Sequence, residues 1–138
     1  MKHRLEVSFS ATKQTSTFAR HLLQCFLADI EIADPDLIQA FGEAVSNAWK
    51  HGCKGIAAPV IKVVVVIESG KIVIESGKIV IEIADPGSGF DPTESFRTEI
   101  VDGKQICAPG RLFMQKGCDQ VAYERRGEWF CCRLVKAL

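Results

Sequence analysis

The chain has no surplus of charge. Seventeen basic residues balance seventeen acidic ones, so the composition offers none of the electrostatic grip that nucleic acid or an anionic membrane surface requires. It also lacks a membrane span, because no apolar run approaches the ~20 residues needed to cross a bilayer. The opening Met1-Lys2-His3-Arg4-Leu5-Glu6-Val7 lacks the apolar stretch of a secretory leader. These absences lead to the expectation of a cytoplasmic protein whose partners are other proteins and small molecules. Six cysteines are present (Cys25, Cys53, Cys107, Cys118, Cys131 and Cys132), but no C-x-x-C pair. In a reducing compartment they read as small buried hydrophobes or inert thiols rather than zinc ligands.

What is present suits one core. With 138 residues of which 47% are hydrophobic, residues 1–138 are expected to form one domain. Its central stretch is Phe41-Gly42-Glu43-Ala44-Val45-Ser46-Asn47-Ala48-Trp49-Lys50-His51-Gly52. At about 100° per residue, Leu37, Phe41, Ala44, Val45 and Ala48 fall on one apolar face, with Glu43, Asn47 and His51 in a polar row beside it. A carboxylate, an amide oxygen and an imidazole on a packed helix can form a rigid edge for a metal-phosphate group. Equally, the row can be a solvated helix flank.

A second motif, Ile83-Ala84-Asp85-Pro86-Gly87-Ser88-Gly89-Phe90, follows a β-branched run and puts an aspartate at a strand end before two glycines. Glycine allows a tight turn and the close approach of a ligand, although Asp-x-Gly-x-Gly alone is common in turns. Taken together, Glu-x-x-x-Asn on a helix and a later strand-Asp-x-Gly-x-Gly resemble the histidine-kinase-type ATPase superfamily, also called the Bergerat or GHKL fold. Within it, Glu-Ala-Val-Ser-Asn-Ala-Trp-Lys-His-Gly is most similar to the anti-sigma-factor serine kinases, and the resemblance spans nearly the whole chain. The fold it implies is α+β, a two-layer α/β sandwich with helices on one face of a mixed, mostly antiparallel sheet.

In chain order, Leu5 to Phe9 alternates and predicts a first strand. Ser10, Thr12 and Thr15 are cap candidates for a helix running through about Leu27, with Phe18, Leu22, Cys25 and Phe26 as its buried stripe. Asp34 caps the central helix, with Pro35 at its first position. Gly52 stops that helix, and Gly55 pivots the loop from Cys53 to Pro59. Val60 to Ile67 predicts a strand. Ile67-Glu68-Ser69-Gly70-Lys71-Ile72-Val73 is then repeated letter for letter as Ile74 to Val80, and Ile81-Glu82 begins a third copy. An odd insertion inside a strand flips every later side chain to the other face. We therefore expect a tandem duplication absorbed by a lengthened hairpin loop or a bulge, with Ile79 to Ile83 keeping its place before Asp85.

The polar stretch from Phe90 to Pro109 is long for a connection and is expected to be a lid. A short helical piece, Arg111 to Lys116, follows and ends near Gly117. Two strands, Val121 to Glu124 and Glu128 to Leu134, joined by Arg125-Arg126-Gly127, close the chain. Phe130, Cys132 and Leu134 are expected to share the core face.

The resemblance implies ATP and Mg²⁺ as cofactors. Asn47 would ligate the Mg²⁺ that bridges the phosphates, a role suited to its oxygen ligand, and Glu43 would be the general base. Asp85 would accept from the adenine amino group, with Gly87 and Gly89 leaving room for the base. Lys50 matches the position of a phosphate-contacting base in histidine kinases, and equally reads as a solvated lysine; His51 reads as structural at the helix end. In the resembling kinases a richer glycine box wraps the phosphates, but here the junction is Cys107-Ala108-Pro109-Gly110-Arg111 and only Gly110 matches. Pro109 removes one amide. The implied function is an ATP-dependent serine kinase that sequesters a sigma factor, phosphorylates an anti-anti-sigma protein of the STAS type and forms a homodimer. The alternative is a nucleotide-binding module acting by sequestration alone. A histidine-kinase catalytic fragment is disfavoured, since no room remains for a phosphoacceptor helix pair.

Overall fold

A computed structural model describes residues 2–68, 77–89, 98–101, 104–107 and 116–138. The elements run in the order β1 (Lys2–Ser10), α1 (Thr15–Asp29), α2 (Pro35–Asn47), β2 (Val60–Glu68), β3 (Lys78–Asp85), β4 (Thr98–Val101), β5 (Lys104–Cys107), β6 (Gln120–Arg126) and β7 (Trp129–Ala137). Five strands form one sheet in the order β1-β2-β3-β7-β6, and β4 pairs with β5 separately. Each of the four pairings in the large sheet is antiparallel. The two helices pack together, and their buried residues join those of the sheet in one apolar cluster. This is the expected α+β two-layer arrangement.

Alternation along the strands decides which face meets the helices. On β2, Ile61, Val63, Val65 and Ile67 are buried, and β3 opposes them with Ile83, Ile81 and Ile79 in register. Leu134 of β7 lies opposite Ile81 and completes a fully buried layer. Burial of each such side chain contributes about 1.5–3 kcal/mol. Phe130, Cys132 and Leu134 share this inward face, as the sequence leads one to expect.

Helix α2 starts where its cap chemistry dictates. The Asp34 carboxylate accepts from the Leu37 amide at 3.0 Å, and Pro35 occupies the first turn. This satisfies one of the amides that have no partner inside the helix. Lys136 adds an ion pair to the same carboxylate at 3.4 Å. Leu37, Phe41, Ala44, Val45 and Ala48 are all buried, which is the predicted apolar face.

The expected stripe of α1 is corrected by one residue. Thr15, Ala19, Leu23 and Leu27 are buried, Leu22 and Phe26 are half-buried with Phe26 packed against the core, and Cys25 is exposed and Phe18 58% exposed. Two apolar stripes lie side by side on this helix, and its rotation is set by polar ties at the start. Thr15 Oγ1 accepts from the Thr12 amide at 2.8 Å, and Ser16 Oγ donates to the Gly42 carbonyl at 2.7 Å. The strand bounds extend beyond those expected, and the last turn moves to Gly127 and Glu128, with Gly127 at φ 60°. Gly55 does carry the left-handed turn of its loop, at φ 75°.

The duplicated segment leaves the β2–β3 register intact, and the expected loop or bulge lies outside the described residues. Glu68 pairs with Lys78, and from there the β2–β3 ladder runs without interruption to Lys62 and Ala84. The extra residues fall in the stretch 69–77, of which 69–76 lie outside the described residues. The interval from Phe90 to Pro109 is also corrected, because it contains the β4–β5 hairpin and is not solely a connection. The expected piece from Arg111 to Lys116 lies largely outside the described residues; Lys116 and Gly117 are helical.

Candidate functional site

The site forms where the end of α2 meets the end of β3. Past Asn47 the helix widens into a π-turn over Ala48–Gly52, closed by the Cys53 amide donating to the Ala48 carbonyl at 3.0 Å. Such turns are rare in helices and frequent at functional sites. The wide turn brings Gly52 against the Asp85 carboxylate, where a Cβ would collide with its carbon and both oxygens. Glycine is the residue that permits this approach.

Asp85 is the last residue of β3 and faces inward at 5% exposure. Its Oδ1 accepts from the Gly87 amide at 2.8 Å, folding Asp85-Pro86-Gly87 into a local turn. A Cβ on Gly87 would collide with the Gly52 backbone, so two glycine backbones touch where helix and strand end. Gly89 has φ 78°, and a Cβ there would enter the Phe130 ring. Burial pushes the Asp85 pKa above the usual carboxylate value, while the Gly87 amide and the Arg125 charge oppose that rise.

Above this junction lies a narrow cleft, with room for little more than a water molecule in this unliganded form. Asn47, His51 and Asp85 supply its polar groups. Ala44, Ala48, Ile83 and Cys132 supply an apolar floor, and Tyr123 and Phe130 form a wall, stacked with ring centroids 6.0 Å apart and planes at 7°. Apolar and aromatic side chains beside a buried carboxylate are the chemistry that meets the face of a planar heterocycle and accepts a hydrogen bond from its amine.

Of the residues singled out from the sequence, Asn47, Asp85 and Gly89 line this cleft together. Gly87 stands behind Asp85 against Gly52. Glu43 lies one turn earlier on α2, half-buried and outside the lining, and Lys50 is exposed in the π-turn. Gly110, with the rest of 108–115, lies outside the described residues. His51, assigned a structural role from sequence, contributes to the lining. Tyr123 and Phe130 were not singled out as site residues. Their alternation marks them as inward-facing, but their nearness to Asp85 depends on β7 lying beside β3, where Phe130 pairs with Asp85.

The buried thiols fit their expected inertness. Loss of water pushes Cys53 and Cys118 up to about 11 and Cys132 up to about 12, so they are neutral at pH 7. Among the described residues no group of three or more His, Cys, Asp or Glu side chains could hold a metal ion.

The histidine kinase-like ATPase domain family matches residues 9–136. The anti-sigma F factor of Anoxybacillus flavithermus is 26% identical over 145 residues, covering 100% of this chain and 94% of that protein. That of a Geobacillus species is 24% identical over 136 residues, covering 84% and 93%. An anti-sigma F factor of Bacillus cereus is 31% identical over 75 residues, covering 52% and 51%. Among solved structures, the RsbU and RsbW domains of a Mycobacterium tuberculosis protein share the fold with a TM-score of 0.63 at 17% identity, covering 97% of this chain and 32% of that one.

Proposed function

Since the chain belongs to the histidine kinase-like ATPase domain family, we propose that it is an anti-sigma factor with ATP-dependent serine kinase activity. It sequesters a sigma factor and phosphorylates a serine of an anti-anti-sigma partner of the STAS type, acting as a homodimer in the cytoplasm. The observation that carries this reading is the convergence of Asn47, Asp85 and Gly89 on one cleft walled by stacked aromatic rings. Relatives that are anti-sigma F factors along 93–94% of their own length support the regulatory part.

The Tyr123–Phe130 wall would take the adenine ring, with Asp85 accepting from its amino group, and Asn47 on α2 would meet the phosphates. A half-buried carboxamide in the cleft suits Mg²⁺, a hard cation that takes oxygen ligands and draws much of its shell from phosphate and water. When bound, the ion neutralises charge on the phosphates. Glu43, about 6 Å back along the helix axis from Asn47, would accept the proton of the incoming serine hydroxyl, and Lys50 would contact phosphate from the π-turn. Phosphoryl transfer needs little beyond such positioning and neutralisation.

The sequence Ala108-Pro109-Gly110 favours a second reading, a module that holds nucleotide and acts by sequestration without turnover. The experiment that tests the first is ATP-induced thermal stabilisation, with and without Mg²⁺, of the wild type and Asn47→Ala. Ligand binding to the native state raises apparent stability by RT ln(1 + [L]/Kd). A Mg²⁺-dependent shift lost in the variant supports the site, and phosphoserine on a STAS partner then separates the kinase from the passive module. No shift in either protein removes the ATP site.

A further inference from the structure

Arg125 sits near the end of β6, in the row that crosses the sheet through Phe130 to Asp85, since Phe130 pairs with Asp85 on one side and with Arg125 on the other. Its guanidinium reaches across the width of β7 and donates to the Gly87 carbonyl from both terminal nitrogens, Nη1 at 3.1 Å and Nη2 at 2.9 Å. The Gly87 amide, on the other side of the same residue, donates to Asp85 Oδ1 at 2.8 Å. With Gly52 packed against its Cα, Gly87 is held from three directions. Asp85 Oδ1 is thereby satisfied inside the protein, and Oδ2 has no donor among the described residues.

We propose that Arg125 is a positioning residue for base recognition: by gripping the Gly87 carbonyl it fixes the Asp85-Pro86-Gly87 turn, so that one carboxylate oxygen stays engaged and the other is presented to an exocyclic amine. The inference rests on the nucleotide reading above and adds a determinant of its selectivity. Pro86 fixes its own φ, but the Gly87 that follows gives the end of the turn little rigidity of its own. The planar fork of arginine supplies it, because two donors on one oxygen fix direction as well as distance, which a lysine ammonium does not. The positive charge also favours the ionised carboxylate, the form that accepts from an amine.

The test is titration calorimetry of the wild type, Arg125→Met and Arg125→Lys with ATP and with inosine triphosphate, whose base carries a carbonyl in place of the amino group. Amide hydrogen exchange at Gly87 is read in parallel. The wild type is expected to prefer ATP. In Arg125→Met, which keeps an apolar stem but loses charge and donors, that preference falls about tenfold, mainly through weaker ATP binding, and Gly87 exchanges faster. Arg125→Lys restores part of the preference and leaves Gly87 exchange raised. If Arg125→Met does not fold, the lysine variant carries the test, with an expected drop of about threefold. A wild-type ATP preference retained in the variants, or equal loss of both nucleotides, overturns the role of Arg125 and leaves the nucleotide site standing. A wild type that takes up neither nucleotide overturns both.

Discussion

Asp85 carries a conflict between folding and its proposed role in recognition. Its carboxylate is buried, and loss of water raises its pKa above that of the unfolded chain. The folded state therefore favours the protonated form, and this contribution to stability is present below the ordinary carboxylate range and lost as pH rises through the folded pKa. Asp85→Asn keeps an oxygen for the Gly87 amide and removes the charge. At pH 7 the unliganded variant is expected to melt no lower than the wild type, and the gap should close in acid; a fall of several degrees at pH 7 would refute this. ATP affinity should nevertheless drop about tenfold or more, because a carboxylate accepting from an amine is a charge-assisted bond, while nucleotides without the amino group lose little. Glu43 separates differently. Glu43→Ala should leave ATP affinity within about twofold and lower phosphoryl transfer by about 10²-fold or more, the scale of a lost general base; phosphoserine formed at the wild-type rate would refute that assignment.

Helix α2 was the most legible element, because its period of apolar residues and its Asp34-Pro35 start are local signals that tertiary contacts reinforce. The rotation of α1 was not legible. Phe18 and Ala19 are neighbours on a helix with apolar residues around much of its circumference, and the Ser16–Gly42 bond that selects Ala19 joins residues far apart in sequence. The β4–β5 hairpin was missed because its surroundings offer few apolar anchors. The candidate site divided along the same line: Asn47 and Asp85 were singled out through the family resemblance that their paired motifs carry, whereas Tyr123, Phe130 and Arg125 become neighbours of Asp85 only through the β3-β7-β6 order. The repeat yields a prediction at this scale. Because Glu68 pairs with Lys78, removing residues 71–77 joins Glu68-Ser69-Gly70 directly to Lys78, a two-residue hairpin with the ladder unchanged. Shortening the connection changes stability by only about 1 kcal/mol. Urea unfolding and ATP titration of the deletion variant should both resemble the full chain; a large loss in either would show that both copies are needed.

Across the whole molecule, the proposed binding cleft and the β2–β3 connection occupy opposite ends of the strands. Asp85 ends β3 beside the cleft, and Lys78 begins it, about 23 Å away at the usual rise per residue. The far end also gathers Lys2, which pairs with Glu68, and Leu138, whose amide donates to the Gly77 carbonyl at 2.8 Å. No helix among the described residues is long and apolar enough to cross a membrane. The hairpin connection at 69–77 is thus a handle. A fluorophore or affinity tag grafted there, beyond the end of an unbroken ladder, would anchor the protein to a surface with the proposed nucleotide cleft at the opposite end of β3, ready for partner capture.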